Sequence, residues 1–199
     1  MNLQKHHPTT KFNRIHLNHQ TGMSYIELIT IGCIFTILAL LAFPSIQSWR
    51  QKNEAQELFR KISPTLLQAR SSAFIYHTAV SVCGGSPVGC TGLWHEGMLT
   101  FTDINHNGAM DLETDHILSY TPLELHFGKL SWRSAGARGH IIYQENGLPL
   151  GSNGSLIYCG QEQQYHRSVV LSMMGHTRRS PDRNHDGIYE DTNGQPLVC

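Results

Sequence analysis

The sequence predicts an α+β protein: one long N-terminal helix packed on a domain of antiparallel β-sheet. Three observations carry this. The run Met23 to Phe43 is apolar for 21 residues, with Glu27 as its only charge. Beyond Pro44, residues Trp49, Leu58, Phe59, Ile62, Leu66, Leu67, Ala69 and Ala73 form an apolar stripe at helical spacing. After about His77, short stretches rich in β-branched and aromatic residues alternate with Gly and Asn clusters, the pattern of strands joined by tight turns.

Composition narrows the classes. A chain of 199 residues buries a real core, which argues against a disulfide-only miniprotein or a disordered segment. Fifteen Lys+Arg balance 15 Asp+Glu, so overall charge does not make it a polyanion binder. The balance is a sum of unlike parts. Residues 1–22 hold Lys5, Lys11, Arg14, four His and no acid, which leaves 12 − 15 = −3 on the remainder.

The elements follow in order. The basic segment 1–22 precedes an apolar run (23–43) that, as a helix, is about 30 Å long and spans the hydrocarbon core of a bilayer. A secretory signal has a shorter apolar region followed by a small-residue cleavage site. Here the run passes Pro44 into a polar helical pattern instead. Positive charge on the N-terminal side predicts a cytoplasmic N-terminus and an exported body, with the chain crossing the membrane once. Residues 44–77 continue as an amphipathic helix, in which Pro64 is expected to introduce a kink and to push Ser63 out of the helical region. Strands are expected at Ala79–Cys83, Leu99–Asp103, His116–Tyr120, Leu123–Phe127, Leu130–Arg133, His140–Tyr143, Ser155–Cys159 and Ser168–Ser172. They build a β domain over 78–175, and 176–199 form a C-terminal tail.

Glu27 is anomalous, because a carboxylate at the edge of a span costs up to about 2.5–3.5 kcal/mol unless it finds a partner. Its surroundings, Gln20-Thr-Gly22-Met23-Ser-Tyr-Ile26-Glu27-Leu28, closely resemble the processing site of type IV prepilins and type II secretion pseudopilins. Gly22, Ile26, Glu27, Leu28 and Pro44 match that pattern, whereas Met23-Ser-Tyr replaces the usual Phe-Thr-Leu. The resemblance implies cleavage after Gly22 by a membrane prepilin peptidase and N-methylation of Met23. It also implies that Glu27 neutralises the amino terminus of a neighbouring pilin in the filament, and that the helix kinks at Pro44. The subunit would sit in the inner membrane with a periplasmic domain and become extracellular in an assembled pilus.

Further along, Leu67-Gln-Ala-Arg-Ser-Ser-Ala73, Phe101-Thr-Asp103-Ile-Asn105-His-Asn107-Gly108 with Asp115-His-Ile-Leu118, and Gly151 to Cys159 with Ser168 to Gly175 resemble the FimT/FimU/GspH minor pilins and pseudopilins. That resemblance implies the pilin-like version of the α+β fold. It also implies a structural, non-enzymatic role, in a type IV pilus or alternatively as a GspH-like minor pseudopilin of a type II secretion system.

Cys33 lies in the apolar run and reads as a small filler. Cys83, Cys90, Cys159 and Cys199 lie on the exported side, where disulfides form, and four cysteines allow three pairings. The short loop favours Cys83–Cys90, leaving Cys159–Cys199 to pin the tail.

Two kinds of ligand are weighed. In some FimT-like proteins a Gly-Arg-x-Arg segment binds DNA in natural transformation; the chain has Gly175-His-Thr-Arg178-Arg179, with Arg183 nearby. Lys129, Arg133 and Arg138 near one hairpin would extend a basic strip for phosphates. The competing reading is a solvated turn, or one whose arginines pair with Asp182, Asp186, Glu190 and Asp191. Separately, Asp103-x-Asn105-x-Asn107-Gly108-x-x-Asp111 and Asp182-x-Asn184-x-Asp186-Gly187-x-x-Glu190 share the spacing of a Ca²⁺ loop. Both lack the carboxylate at the twelfth place, where Thr114 and Asn193 stand, so an Asx-rich turn competes with Ca²⁺ in each. No other cofactor is implied. The nine His beyond residue 22 show no metal-ligand spacing, and no Ser/His/Asp order or phosphate loop supports an enzyme.

Overall fold

A computed structural model describes residues 22–199. The expected leader, apart from Gly22, lies outside them. The chain divides into two compact units at the junction of Pro44 and Ser45.

In the first unit, helix α1 (Tyr25–Tyr76) opens when the N–H groups of Glu27 and Leu28 bond to the Ser24 carbonyl at 3.0 and 3.2 Å. Its N-terminal part is long and apolar enough to cross a membrane, with a mean hydropathy of 2.5 over the best window and none of that window buried. The hydroxyls of Thr30 and Thr36 turn back to the carbonyls of Ile26 and Gly32 at 2.8 Å, so neither presents an unpaired donor to hydrocarbon.

In the second unit α1 buries Ala55, Leu58, Phe59, Ile62, Leu66, Ala69 and Ala73. These recur three and four residues apart and form the expected stripe, but Trp49 and Leu67 do not belong to it, being 63% and 61% exposed. The helix continues through Pro64 without a break, contrary to the expected expulsion of Ser63. Ile62 and Leu66, each 1% exposed, anchor both sides of the proline, and packing outweighs the one backbone bond that Pro64 lacks. His77, with φ 49°, ends the helix in the left-handed region.

Nine strands follow: β1 (Val80–Ser86), β2 (Gly89–Cys90), β3 (Gly97–Thr102), β4 (Ile117–Pro122), β5 (Lys129–Ser134), β6 (His140–Tyr143), β7 (Gly154–Cys159), β8 (Arg167–Leu171) and β9 (Thr177–Arg179). They form two antiparallel sheets, β2-β1-β3-β4 with β6 also on β1, and β5-β7-β8-β9. The main core lies between α1 and one face of each sheet, joining Ile62 and Leu66 to Val80, Val82, Ile141, Leu156, Val169 and Leu171. A smaller cluster, Cys83, Leu99 and Phe101 with Met110 and Tyr120, fills the other face of the first sheet.

Two sequence expectations change here. Leu123–Phe127 is not a strand: the Glu54 carboxylate accepts the N–H groups of His126 at 2.7 Å and Phe127 at 3.1 Å, so a side chain on α1 takes the bonds a neighbouring strand would have taken. In the expected tail, Thr177–Arg179 pairs with β8 as an edge strand.

Candidate functional site

At the N-terminus Gly22, Met23 and Glu27 are all exposed, and Glu27 stands in the first turn of α1, where the helix dipole favours a carboxylate. The backbone of α1 is helical at Pro44. Around Glu27 the surface is apolar, with Ile26, Leu28, Phe35 and Leu38 between 57% and 69% exposed. Apolar area of this kind requires hydrocarbon or another apolar helix to cover it.

Two disulfides join Cys83 to Cys90 and Cys159 to Cys199, while Cys33 is a free thiol on the exposed apolar helix. The first lies in the small core under the Asp103–Asp115 loop. The second ties the last residue of the chain to the end of β7, and the Cys199 sulfur rests 3.4 Å from the ring nitrogens of His166.

The basic residues are sorted by strand register. Arg133 pairs with Ser155, Ser155 with Val170, and Val170 with Arg178. Laterally paired residues share a face, so Arg133 and Arg178 project from one side of the second sheet at its two edges, three strand spacings or roughly 14 Å apart. Lys129, four residues before Arg133 on β5, projects on the same side. This is the outer face, because the alternate residues Leu130, Trp132, Leu156 and Val169 belong to the main core or pack against it.

Arg179 falls on the opposite face from Arg178, and its guanidinium lies 5.2 Å from the Phe59 ring. The expected side-by-side pair of arginines is thus split by the two-residue period of a strand, and Arg179 covers the core edge. Arg138 is exposed in the β5–β6 turn, and Arg183 is exposed in the loop after β9. Among the described residues the one ion pair is Arg60–Glu57 at 3.7 Å, so neither Arg178 nor Arg183 pairs with the neighbouring acids. Sequence reasoning did not anticipate Arg167: it is 7% exposed, donates to the carbonyls of Gln164 and His166 at 2.7 Å, and stacks 3.5 Å above the Tyr189 ring.

The two loops with cation spacing adopt one backbone form. His106 and Gly108 have φ of 60° and 71°, and His185 and Gly187 have φ of 61° and 86°. In the first loop Asp103 accepts the N–H groups of Asn107 and Gly108 at 3.0 and 2.8 Å, and the amides of Asn105 and Asn107 both donate to Asp111. In the second, Asp182 accepts from Gly187 at 3.0 Å, Asn184 donates to Asp186 at 2.8 Å, and Glu190 turns to the Arg183 N–H at 2.9 Å. These oxygens close turns, as Asx chemistry does. Among the described residues no group of three or more His, Cys, Asp and Glu side chains is placed to hold a metal.

Gly108 also sets a close approach. A β-carbon there would run into the imidazole of His140, so the ring lies flat on the loop. Burial, with the Arg138 charge, holds the His140 pKa below its ordinary 6.5, against an opposing pull from Asp103. The folded state therefore binds the proton less readily than the unfolded chain. Its contribution to stability is present above pH 6.5 and is lost as pH falls toward the depressed value. The urea midpoint is expected to drop on acidification through this window, and His140→Gln is expected to flatten that drop. An unchanged pH profile in the variant would contradict it.

A helix with an exposed apolar N-terminal part, followed by a helix-on-sheet domain, defines the class as a type IV pilin-like subunit, a minor pilin or pseudopilin. The GspH profile, described as type II transport protein GspH, matches residues 60–175, and the chain belongs to this family. The family consists of structural, non-enzymatic subunits, and membership implies assembly with other pilin-like chains. Similar solved structures include the type IV minor pilin FimU of Pseudomonas aeruginosa strain PAO1. It is 17% identical, with 68% of this chain and 91% of that chain covered at a TM-score of 0.47. Another is the minor pseudopilin EpsH from the type 2 secretion system of Vibrio cholerae, 13% identical, with 63% and 95% covered at a TM-score of 0.46. No curated protein matches the chain at significant similarity.

Proposed function

We propose that the chain is a minor type IV pilin. It is cleaved after Gly22 by a prepilin peptidase, N-methylated at Met23, and held in the inner membrane through residues 23–43 with its β domain in the periplasm. It joins other pilins near the pilus tip through Glu27. The outer face of the second sheet contacts double-stranded DNA during uptake, through Arg178 with Arg133 and Lys129, while Arg138 and Arg183 lie in flanking loops. The observation that supports the DNA contact is the register that puts Arg133 and Arg178 on one face, with no ion pair at either among the described residues. Exposed guanidinium groups without an ion pair bind phosphates regardless of base sequence.

The full processed chain in non-ionic detergent, titrated with labelled duplex DNA, tests this contact. Affinity is expected to fall steeply between about 50 and about 200 mM salt, and Arg178→Ala is expected to lower the slope of log K against log salt by about one phosphate contact. No binding, or a slope untouched by the substitution, would remove DNA from the proposal.

The second reading, a minor pseudopilin of a type II secretion system, is favoured by the family match itself. Deleting the gene separates the two: loss of surface pili supports the first reading, and loss of exoprotein secretion with pili intact supports the second.

A further inference from the structure

The segment that follows β4 runs alongside α1 in the opposite direction. Lys61 Nζ donates to the Pro122 carbonyl at 3.1 Å, Glu54 accepts the N–H groups of His126 and Phe127, and the Arg50 guanidinium lies 5.9 Å from the Phe127 ring. Between helix and segment lies a crevice of about 510 Å³, with the buried Leu58 and Leu123 in its lining and Trp49 at one end. A volume of this size is in the range of small-ligand sites.

Two charges in this crevice are left over. Arg50 and Glu124 both line it, both are exposed, and neither makes an ion pair among the described residues. The other carboxylates are engaged: Glu54 by two backbone donors and the Tyr158 hydroxyl, and Glu57 by Arg60 at 3.7 Å. Phe127, beside Arg50, is three residues from Glu124, a backbone span of at most about 11 Å. A cation and an anion held apart in one crevice match a ligand that carries both charges on one short chain. The crevice is also tethered to the membrane. Trp49 is six residues beyond Phe43, the end of the apolar run, which limits its distance from the hydrocarbon edge to about 20 Å. An exposed Trp49 beside Arg50 and Lys52 is the residue pattern of an interfacial anchor.

We propose that this crevice binds the phosphoethanolamine headgroup of a membrane phospholipid, with the phosphate on Arg50 and the primary ammonium on Glu124. This rests on the membrane reading of residues 23–43 above. The order of the two charges suits a lipid. The phosphate adjoins the glycerol and acyl chains, and Arg50 is the charge nearer the apolar run along α1. Glu124 lies farther along, in the stretch of segment bonded at its ends to Glu54 and Lys61.

The full chain, extracted from membranes in non-ionic detergent, is titrated with short-chain phospholipids, and bound lipid is counted by native mass spectrometry. Phosphatidylethanolamine is expected to bind about tenfold more tightly than phosphatidylcholine, whose quaternary nitrogen donates no hydrogen bond, or phosphatidylglycerol, which carries no cation. Arg50→Ala is expected to weaken that binding about tenfold, the effect of one charge-assisted hydrogen bond, and Glu124→Gln to remove the preference over phosphatidylcholine. Both side chains are exposed, so both variants keep the fold, which circular dichroism checks. No bound lipid, equal affinity for the three lipids, or a preference unchanged in both variants overturns the site. A lipid-free dimer lost in Arg50→Ala gives the crevice to a second copy of the chain and overturns it too. Alkaline carbonate washing of membranes tests the reading beneath: a chain that stays with the membrane but shows no headgroup preference loses only the site, and a chain released by carbonate loses both.

Discussion

Glu27→Ala is expected to leave membrane insertion and cleavage after Gly22 intact and to exclude the subunit from filaments. Alanine lowers the cost of the apolar segment in lipid, so insertion is if anything easier. The loss comes later. In the proposed processing, cleavage would create an ammonium at Met23, four residues before Glu27, and a filament covering the exposed apolar surface of α1 would also take these charges out of water. A buried charge left without its partner costs about 3–5 kcal/mol, which lowers equilibrium incorporation by on the order of a hundredfold or more. Immunoblots of sheared, purified pili measure it, with whole-membrane blots as the control for insertion and processing. Glu27→Gln keeps the size and a hydrogen-bonding end, and is expected to fail nearly as fully if charge is what matters. Wild-type amounts of the alanine variant in pili would end this account of Glu27.

Glu54→Ala is expected to have the largest effect on the stability of the β domain. Its carboxylate joins three elements: Oε2 accepts from the His126 N–H at 2.7 Å, and Oε1 accepts from the Phe127 N–H at 3.1 Å and from the Tyr158 hydroxyl at 2.7 Å. Burial, and then the bond to Glu54, push the Tyr158 pKa well above the usual phenol range, so the hydroxyl remains a donor throughout the neutral range. Alanine strands three donors together. Hydrogen bonds to a charged group are worth about 1.5–3 kcal/mol each and partly share their loss, so a destabilisation of about 3 kcal/mol is expected. For a domain of this size that lowers Tm by about 6–12 °C, readable by calorimetry or circular dichroism. A shift near zero would mean that the 123–127 segment is held by its apolar contacts alone, chiefly Leu123.

Glu54 also shows where the sequence stops being informative. Leu123 to Phe127 has the composition of a strand, and nothing local reveals that its amides bond to a carboxylate about 70 residues earlier. Pro64 is the same lesson in reverse. A proline in a helical pattern predicts a break, yet Ile62 and Leu66 on either side are clamped in the core, and tertiary contacts outweigh the local penalty. The arginines differ again. The two-residue period of a strand places Arg178 and Arg179 on opposite faces as soon as 177–179 is known to be a strand, but the segment is three residues long and reads from sequence as a tail. Arg133 and Arg178, 45 residues apart, share a face only through the register of β5, β7, β8 and β9.

The sequence by itself determined the N-terminal half of the story: the apolar run, its lone carboxylate, the helix-then-strands order, and four cysteines beyond the apolar run. Each depends on neighbours in the chain, where hydropathy, helical period and motif spacing act directly. Only the tertiary structure decided which strand faces are buried, that Glu54 caps a distant loop, that Asp103 and Asp182 close the turns of their own loops, and that Arg133 and Arg178 share a face. Those outcomes depend on pairings between residues far apart in sequence. They are set by strand register, which a one-residue shift would invert, and by the competition among buried groups for the same few hydrogen-bond partners.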